Sequence, residues 1–540
     1  MKEKKLKHIE LFAGCGGMSL GLDTAGFNLF FANELSPMAG ETFAYNILGE
    51  NLQLAANNNK PAKKTKWIKS KYAKNDLQNR LRENPFTASE GPYSDLTDIL
   101  SIKGNLLIGD INQLLDFLSS NENIVQQIRD EGIDLLSGGP PCQSFSMAGK
   151  REKDNLKNQL PLSFARITGL IQPKVVLLEN VKGITSPFSE GGSKYYAWLE
   201  VAKAFVLEGY VPICMMLNSK YFGVAQNRPR YIMYAFRLDV FTNILNSDEQ
   251  NEVLKTSINF YNRVLEFRDS LWNVTIKDFK YYDIENHAEL FDGKLLPKIT
   301  KSKGEFISTF DAIDDIRETN VEYTLNKIIN GYGGRLNSTF QKANLTEDNL
   351  IKNHEPRGHK FAVKARFRFY QVLNSFSQKM KKDAMDLFDG KKIEQADLEK
   401  LFKEFSKHDL YLKVGENEFL KRTESLEDLE DLIKLIPSKK HSQRALKTNE
   451  PAPAQLTIPD DLCHYDIHSL RTLTVREMAR FQSFPDWFEF KSKVTTGGKN
   501  RRFEVPQYTQ VGNAVPPMLA LVLGKTAIKL LNQANGIPSK

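Results

Sequence analysis

Three short stretches of this 540-residue chain place reactive side chains at the ends of apolar runs. In "GGPPCQSFSMAGKR" (138–151), two glycines and two prolines precede Cys142 and fix the backbone, leaving its sulfur at a strand end. A structural cysteine normally sits inside an apolar run, whereas this one stands in a Pro-Cys-Gln loop, which suits a nucleophile. A free thiol of pKa ~8.5 is only a few per cent thiolate at neutral pH, so such a nucleophile needs electropositive help. "ENV" (179–181) closes another apolar run with Glu179 and Asn180, an acid that is either solvated or used. "QNRPR" (226–230) supplies Gln226, Arg228 and Arg230. On an extended segment residues i and i+2 face the same way, so both guanidiniums could address one anion or one base edge. Taken singly, each is as easily an ordinary surface charge.

A fourth stretch, "LFAGCGGMSLG" (11–21), has three readings. Phe12–Ala13–Gly14–Cys15 looks like a lipoprotein cleavage box, the glycines look like a dinucleotide turn, and the whole could hold the adenosine side of a methyl donor. The first reading fails. Only seven residues separate Lys7 from Cys15, and they include His8 and Glu10, too few and too polar for a signal core of roughly 7–15 apolar residues. A glycine turn between strand and helix lets backbone N–H groups approach a ligand. Glu34, twenty residues beyond Gly14, stands where an acid can accept hydrogen bonds from ribose hydroxyls. The spacing is GxGG rather than GxGxxG, which disfavours a nicotinamide enzyme. Asp110 could reach the amine of an adenine or could cap a helix over 111–118.

These residues need a scaffold that gathers them. Short apolar runs at 7–13, 28–34, 105–111, 133–139 and 174–181 alternate with helical segments. That alternation predicts an α/β fold with a mostly parallel sheet flanked by helices, whose ligands gather beyond the carboxyl ends of the strands. After "YIMYAFR" (231–237) the texture turns charged and irregular until the Pro-punctuated connector at 449–461. A helical pattern then covers 473–488, and 516–533 reads as a C-terminal helix. The expected organisation is a catalytic and cofactor-binding domain over 1–237 with a basic insertion at about 51–104, a smaller domain over 238–500, and a 501–540 segment returning to the first domain.

Composition bounds the partners. With 41% hydrophobic and 26% charged residues, usage is that of a globular protein, and no run approaches the ~18–20 apolar residues of a membrane span. Four cysteines show no CxxC spacing, which argues against zinc and disulfides, predicts no metal, and fits a cytoplasmic setting. The net charge of +8 is compatible with a polyanion. Residues 60–82 hold nine basic residues and one acidic one, either a solvated insertion or a phosphate-contacting arm.

Together, "FAGCGGMSLG", "NELSPMAGETFAYN", "GDI", "GGPPCQSFS", "ENVKGI", "FGVAQNRPRY", "LTVREMARFQSFPD" and "VGNAVPP" follow the order and placement of the DNA cytosine-5 methyltransferase motifs. The chain resembles that family over roughly 7–47, 105–237 and 445–535. The resemblance implies a Rossmann-like methyltransferase fold with a target-recognition domain, and S-adenosylmethionine as the methyl donor. It implies that Phe12, Gly14, Cys15 and Gly17 line the donor's loop, that Glu34 and Leu35 meet its ribose and adenine, and that Asp110 and Ile111 also contact the adenine. Pro141, Leu160, Asn513 and Val515 would complete the pocket. By the same analogy, Cys142 adds to C6 of cytosine while Glu179 supports N3, so that C5 becomes able to take a methyl. Arg228 and Arg230 would hold the base or its phosphate, and Gln143, Ser146 and Gln226 would meet the substrate. A free glutamate, pKa ~4.3, is ionised at neutral pH, so the role of Glu179 requires tuning or a proton brought with the base. The target base must leave the duplex, at a cost of a few kcal/mol.

Ser36 stands where the family often has Asp, and Ala225 where it often has Pro. The family's recognition region corresponds to 238–470. There Arg357, Arg366 and Arg368 alternate with aromatic residues; they read base edges, or the segment packs its aromatics inward. His354 and His359 lack partners at metal-ligand spacing, and Arg476 and Arg480 suit organisers of this region rather than readers. The expected protein is a monomeric bacterial modification enzyme acting on double-stranded DNA beside a cognate restriction endonuclease. A tRNA methyltransferase shares the core motifs but usually has a smaller recognition region, and a silent DNA-binding protein would have lost the nucleophile.

Overall fold

The apolar runs form the inner strands of one nine-stranded sheet, seen in a computed structural model that describes residues 6–141, 159–190, 193–317, 330–341, 351–438, 443–454 and 457–537. Its strands are β1 (Leu6–Leu11), β2 (Phe27–Glu34), β3 (Thr65–Trp67), β4 (Asn105–Ile108), β5 (Leu135–Gly138), β6 (Val175–Val181), β7 (Tyr210–Asn218), β8 (Pro229–Arg237) and β9 (Tyr282–Asp283). They lie in the order β9-β7-β8-β6-β5-β1-β2-β4-β3. Every pairing is parallel except the two made by β8, which runs antiparallel to both β6 and β7. Val175, Val176, Leu177 and Leu178 are all 0% exposed, the continuous burial expected of a strand covered on both faces. The mostly parallel α/β sheet read from the sequence is the sheet observed.

Chain direction explains why the reactive stretches meet. From β1 the chain moves outward through β2, β3 and β4, then crosses back to place β5 on the other side of β1. Such a reversal opens a crevice at the carboxyl ends of the strands. The turn after β1, Glu34 at the end of β2, Asp110 after β4, the Gly-Pro-Pro segment after β5 and Glu179 near the end of β6 share that edge. Because β8 is antiparallel, its first residues reach the same edge, with Arg230 opposite Val181.

Helix α1 (Gly17–Ala25) leads away from β1 and packs against a C-terminal helix, Pro517–Ala534. The contact is close. A Cβ on Gly21 would lie 2.5 Å from that of Ala520, and one on Gly524 would lie 2.8 Å from that of Ala25. The tail therefore returns to the first helix, carrying the preceding short helix Gln507–Asn513 beside the glycine turn. The sheet's core does not stop at 237. Helices Leu238–Ser247 and Glu252–Glu266 supply Phe241, Ile244, Phe260 and Val264 to it, and it runs on through Leu296.

A second core gathers Leu446, Val475, Phe481, Phe484, Phe488, Tyr508 and Val511. A third forms around helix Phe361–Leu373 with Phe405, Leu410 and Leu432. Arg476 and Arg480, both 0% exposed, organise the second core. Arg476 donates to the carbonyls of Lys352, Pro485 and Phe488, and Arg480 grips Asp486 at 2.8 Å and also Asp315. Among the described residues no single helix is long and apolar enough to cross a membrane.

Candidate active site

The glycine turn is shaped by three residues in the left-handed region, Phe12, Gly14 and Gly16, with φ of 56°, 56° and 97°. Its glycines differ in their surroundings. A Cβ on Gly17 would meet the Val515 carbonyl oxygen at 2.4 Å, whereas one on Gly14 would find no atom within 4 Å. The turn is therefore closed at Gly17 by the C-terminal segment and open at Gly14. Glu34 sits over the opening. Its Oε2 accepts from Gly14 N and its Oε1 from Ser36 N, both at 2.8 Å, and burial, the largest influence, holds its carboxyl above the usual range. Ser36, where the family often has Asp, keeps this backbone contact.

Asp110 is the N-cap of helix Ile111–Ser119, accepting from Asn112 N at 2.8 Å. The capping role weighed for it is thus present, and its half-buried carboxylate stands at the same edge. Ile111 is buried, while Leu35 and Leu160 are half-buried and Pro141 is exposed. Phe12 rests against Phe164, ring centres 6.4 Å apart. The open space at Gly14, bordered by an acid and backbone, fits a nucleoside-bearing methyl donor: Glu34 could accept from ribose hydroxyls, and Asp110 could accept from an adenine amine.

Cys15 belongs to the wall's interior. It is 2% exposed, and burial drives its thiol far above the usual range.

Beneath the turn, Glu10 is 2% exposed and accepts from the Ser19 hydroxyl. Burial, reinforced by Asp23 and Glu34 and opposed by the Ser19 bond, raises its pKa from 4.5 to about 8. The folded state then holds a proton that the unfolded chain releases above pH ~4.5, so this group makes stability fall as pH rises through 4.5 to 8. At ~1.4 kcal/mol per unit the effect is up to roughly 4 kcal/mol between pH 5 and 8. Glu10→Gln keeps an acceptor for Ser19, and we expect it to flatten that slope. Urea melts of both proteins at pH 5 and pH 8 check this; parallel losses of stability would refute it.

On the other side of β1 lie the groups suited to base chemistry. Glu179 is 8% exposed, and its Oε1 stands 2.7 Å from Arg230 Nε. A Cβ on Gly139 would lie 3.0 Å from Glu179 Oε2, so glycine there leaves the second carboxylate oxygen uncrowded. Asn180 Nδ2 donates to the Pro140 carbonyl at 3.0 Å, pinning the start of the Pro-Cys-Gln loop to β6. Burial lowers the pKa of Arg230, and Glu179 opposes the shift. Cys142, Gln143 and Ser146 lie outside the described residues.

Arg228 behaves differently from the shared-ligand expectation. Its Nη2 donates to the carbonyls of Gly512 and Ala514, at 2.8 and 3.1 Å, and Nη1 to Gln226 Oε1 at 3.4 Å. The two arginines thus serve different partners. The reason is local: residues 226–227 bridge to Ala452–Pro453, and the β8 ladder begins only at Pro229, so strand alternation does not run through Arg228. Its guanidinium clamps the segment that carries Asn513, which is exposed between the two held carbonyls, and Val515. Its immediate neighbours, Gln226, Asn227, Pro229 and Arg230, carry no signal of this role, because the carbonyl partners lie far away in the chain.

Gln226 is 0% exposed beneath this bridge, and Ala225, also buried, accepts from Ala452 N at 3.0 Å. Within residues 238–470, helix Phe361–Leu373 turns Phe367 and Phe369 inward, 1% and 0% exposed. Arg368 donates to the Asp409 carbonyl at 2.6 Å and Arg366 to that of Pro437 at 2.6 Å. Arg357 faces Asp460 at 3.6 Å. The inward-packing alternative therefore describes this helix, with Arg368 held inside. His354 reaches Thr474 Oγ1 and the Ile316 carbonyl, at 2.9 and 2.8 Å.

The family model for C-5 cytosine-specific DNA methylases matches residues 6–74 and 100–529. The type II methyltransferase M1.HphI of Haemophilus parahaemolyticus is 23% identical over 528 residues, covering 97% of this chain and 87% of the relative. The type II methyltransferase M.DdeI of Desulfomicrobium norvegicum is 24% identical over 536 residues, covering 98% and 91%.

Proposed function

Because the chain belongs to the C-5 cytosine-specific DNA methylase family, we propose that it methylates C5 of a cytosine flipped out of a specific short duplex sequence, using S-adenosylmethionine and a covalent Cys142–C6 intermediate. The observation that carries the reading is the meeting, at one sheet edge, of the open glycine turn with Glu34 and of the Glu179–Arg230 pair beside the Gly-Pro-Pro segment leading to Cys142. The enzyme is a cytosine-5 DNA methyltransferase. Its biological role, on this reading, is to protect host DNA as the modification partner of a restriction endonuclease, a role that the names of its type II relatives support.

When bound, the donor supplies an electrophilic methyl on a sulfonium. The protein's part is to make C5 nucleophilic. The Cys142 thiolate forms a bond to C6, and the C5–C6 π pair becomes available at C5 as the ring's N3 side is supported by Glu179. C5 takes the methyl, a base removes the C5 proton, and the returning electron pair expels the thiolate and restores the ring. Arg230 holds Glu179 Oε1 and leaves Oε2 beside Gly139, fixing the carboxyl's direction before the base arrives. Arg228 acts at one remove, keeping Gly512 and Ala514 in place around Asn513. Phe12, Gly14, Glu34, Leu35, Asp110, Ile111 and Leu160 would hold the donor, with Gly17 and Val515 closing the turn.

The pure protein should move label from a tritiated donor to duplex DNA and not to tRNA. Bisulfite sequencing of DNA from expressing cells should show protected cytosines confined to one short sequence. Label on tRNA alone, or none on varied duplexes, would overturn the reading. Protection of those sites from a co-expressed neighbouring endonuclease tests the role in modification.

A further inference from the structure

Nine basic side chains and one acidic one give residues 60–82 a net charge of +8, the whole net charge of the chain, so all remaining residues balance. The structure shows what holds this charge together. Strand β3 is the outermost strand at one end of the sheet, and Ile68 continues it, its N donating to the Ile108 carbonyl at 2.8 Å. A Cβ on Gly109 would lie 2.8 Å from Ile68 Cβ, so the chain leaving β3 starts beside Asp110, at the ligand-binding edge.

The following segment is built as a buttress. Arg80, 1% exposed, pairs with Asp95 at 2.7 Å and lies over the Trp67 ring at 5.2 Å. Asp95 also accepts from Trp67 N at 2.9 Å. Glu83 accepts from the Ser70 hydroxyl and from Lys71 N, both at 2.7 Å. A Cβ on Gly91 would lie 2.0 Å from Ser70. The buried carboxylates therefore serve the backbone and Arg80, not the lysines. Residues 75–99, which supply most of this buttress, are the part of the chain between the two stretches matched to the family.

The lysines stay at the surface. Lys63, Lys64, Lys71 and Lys74 are exposed, and Lys69 is half-buried. Lys71 reaches Glu90 at 3.5 Å across the surface, a contact of little worth. Partial burial, and after it the charge of Lys74, press the pKa of Lys66 downward against the opposing pull of Asp95 and Glu50, so Lys66 and Lys74 are near enough to feel each other's charge. Such repulsion is unfavourable in the free protein and is relieved by a polyanion. Arg82, 3.5 Å from Ser492 Oγ, joins this surface to the loop bearing exposed Lys499, Arg501 and Arg502.

We propose that the segment carrying Lys69, Lys71 and Lys74 grips the phosphates of duplex DNA flanking the target site. This rests on the DNA reading above and extends it to a second contact region. Five strand spacings of ~4.8 Å separate β6 from β3, about 24 Å. For a duplex laid along this sheet edge, at 3.4 Å per base pair, that is about seven base pairs from the target cytosine.

The test compares the wild type with a Lys69→Gln, Lys71→Gln, Lys74→Gln variant on 12- and 40-base-pair duplexes, each with the mapped site at its centre. A 12-base-pair duplex ends before the lysines. The variant should bind the longer duplex about tenfold more weakly at low salt, with the slope of log K against log salt reduced by up to ~2.7. Affinity for the short duplex and kcat at saturating DNA should be unchanged. Equal slopes on the longer duplex, or equal losses on both lengths, would overturn the proposal while leaving the DNA reading intact. A wild type that methylates neither duplex would remove the reading and the proposal together.

Discussion

Cys142→Ser is expected to abolish methyl transfer, lowering kcat by on the order of 10⁴-fold or more, while DNA affinity stays within a few-fold of wild type. The substitution keeps a side chain of similar size but replaces a thiol of pKa ~8.5 with an alcohol that is scarcely ionised at neutral pH. None of the three described cysteines can stand in. Burial drives the thiols of Cys15 and Cys463 far upward, and it pushes Cys214 up to about 12 despite a 3.0 Å contact with the Tyr231 hydroxyl. A duplex carrying 5-fluorocytosine at the mapped site gives an independent reading of the bond. With fluorine in place of the C5 proton, elimination stalls, and the wild type should run with the DNA on a denaturing gel. The serine variant should not. A variant that turns over within tenfold of wild type, or a wild type that never forms the adduct, would remove the covalent role.

The scaffold was legible because its signals are local. Each inner strand is a short apolar run, and a polar or glycine residue closes it. The alternation of such runs with helices dictates which ends gather ligands. Glu34, Asp110 and Glu179 close such runs and so fall at one edge; Arg230 reaches it only because β8 runs antiparallel, which nothing in its own stretch signals. What the sequence could not carry were the contacts made across hundreds of residues. Arg228 meets Gly512 and Ala514 nearly 290 positions away, and nothing in "QNRPR" separates an arginine for carbonyls from one for a carboxylate. The helix at 361–373 was ambiguous for another reason. Arginines interleaved with aromatics suit a groove-reading face and an inward-packed face alike, and only the partners Phe405, Leu410 and Leu432 decide between them. The core's extension to Leu296 was hidden because Leu238–Ser247 and Glu252–Glu266 are amphipathic helices whose buried apolar residues are interspersed with polar ones rather than gathered in a run.

The Glu179–Arg230 pair admits a sharper test than loss of activity, because the two groups have a structural and a chemical role that can be separated. Glu179→Gln keeps the shape and one acceptor but removes the charge opposite a guanidinium that is 9% exposed. Breaking a buried pair from one side costs about 3–5 kcal/mol, since the remaining charge is left without its counter-ion. A merely structural pair would lose activity only through that instability. A carboxyl that supports the ring during thiolate addition would lower kcat by about 10²–10⁴-fold even in a well-folded enzyme. Combining Glu179→Gln with Arg230→Met removes both charges and should recover much of the lost thermal stability. The double variant should remain inactive, with its DNA affinity within about tenfold of wild type. Stability and kcat measured on the four proteins of this cycle decide the matter. Activity returning in step with stability would mean that Glu179 only holds Arg230, and the mechanism would then need another group at N3.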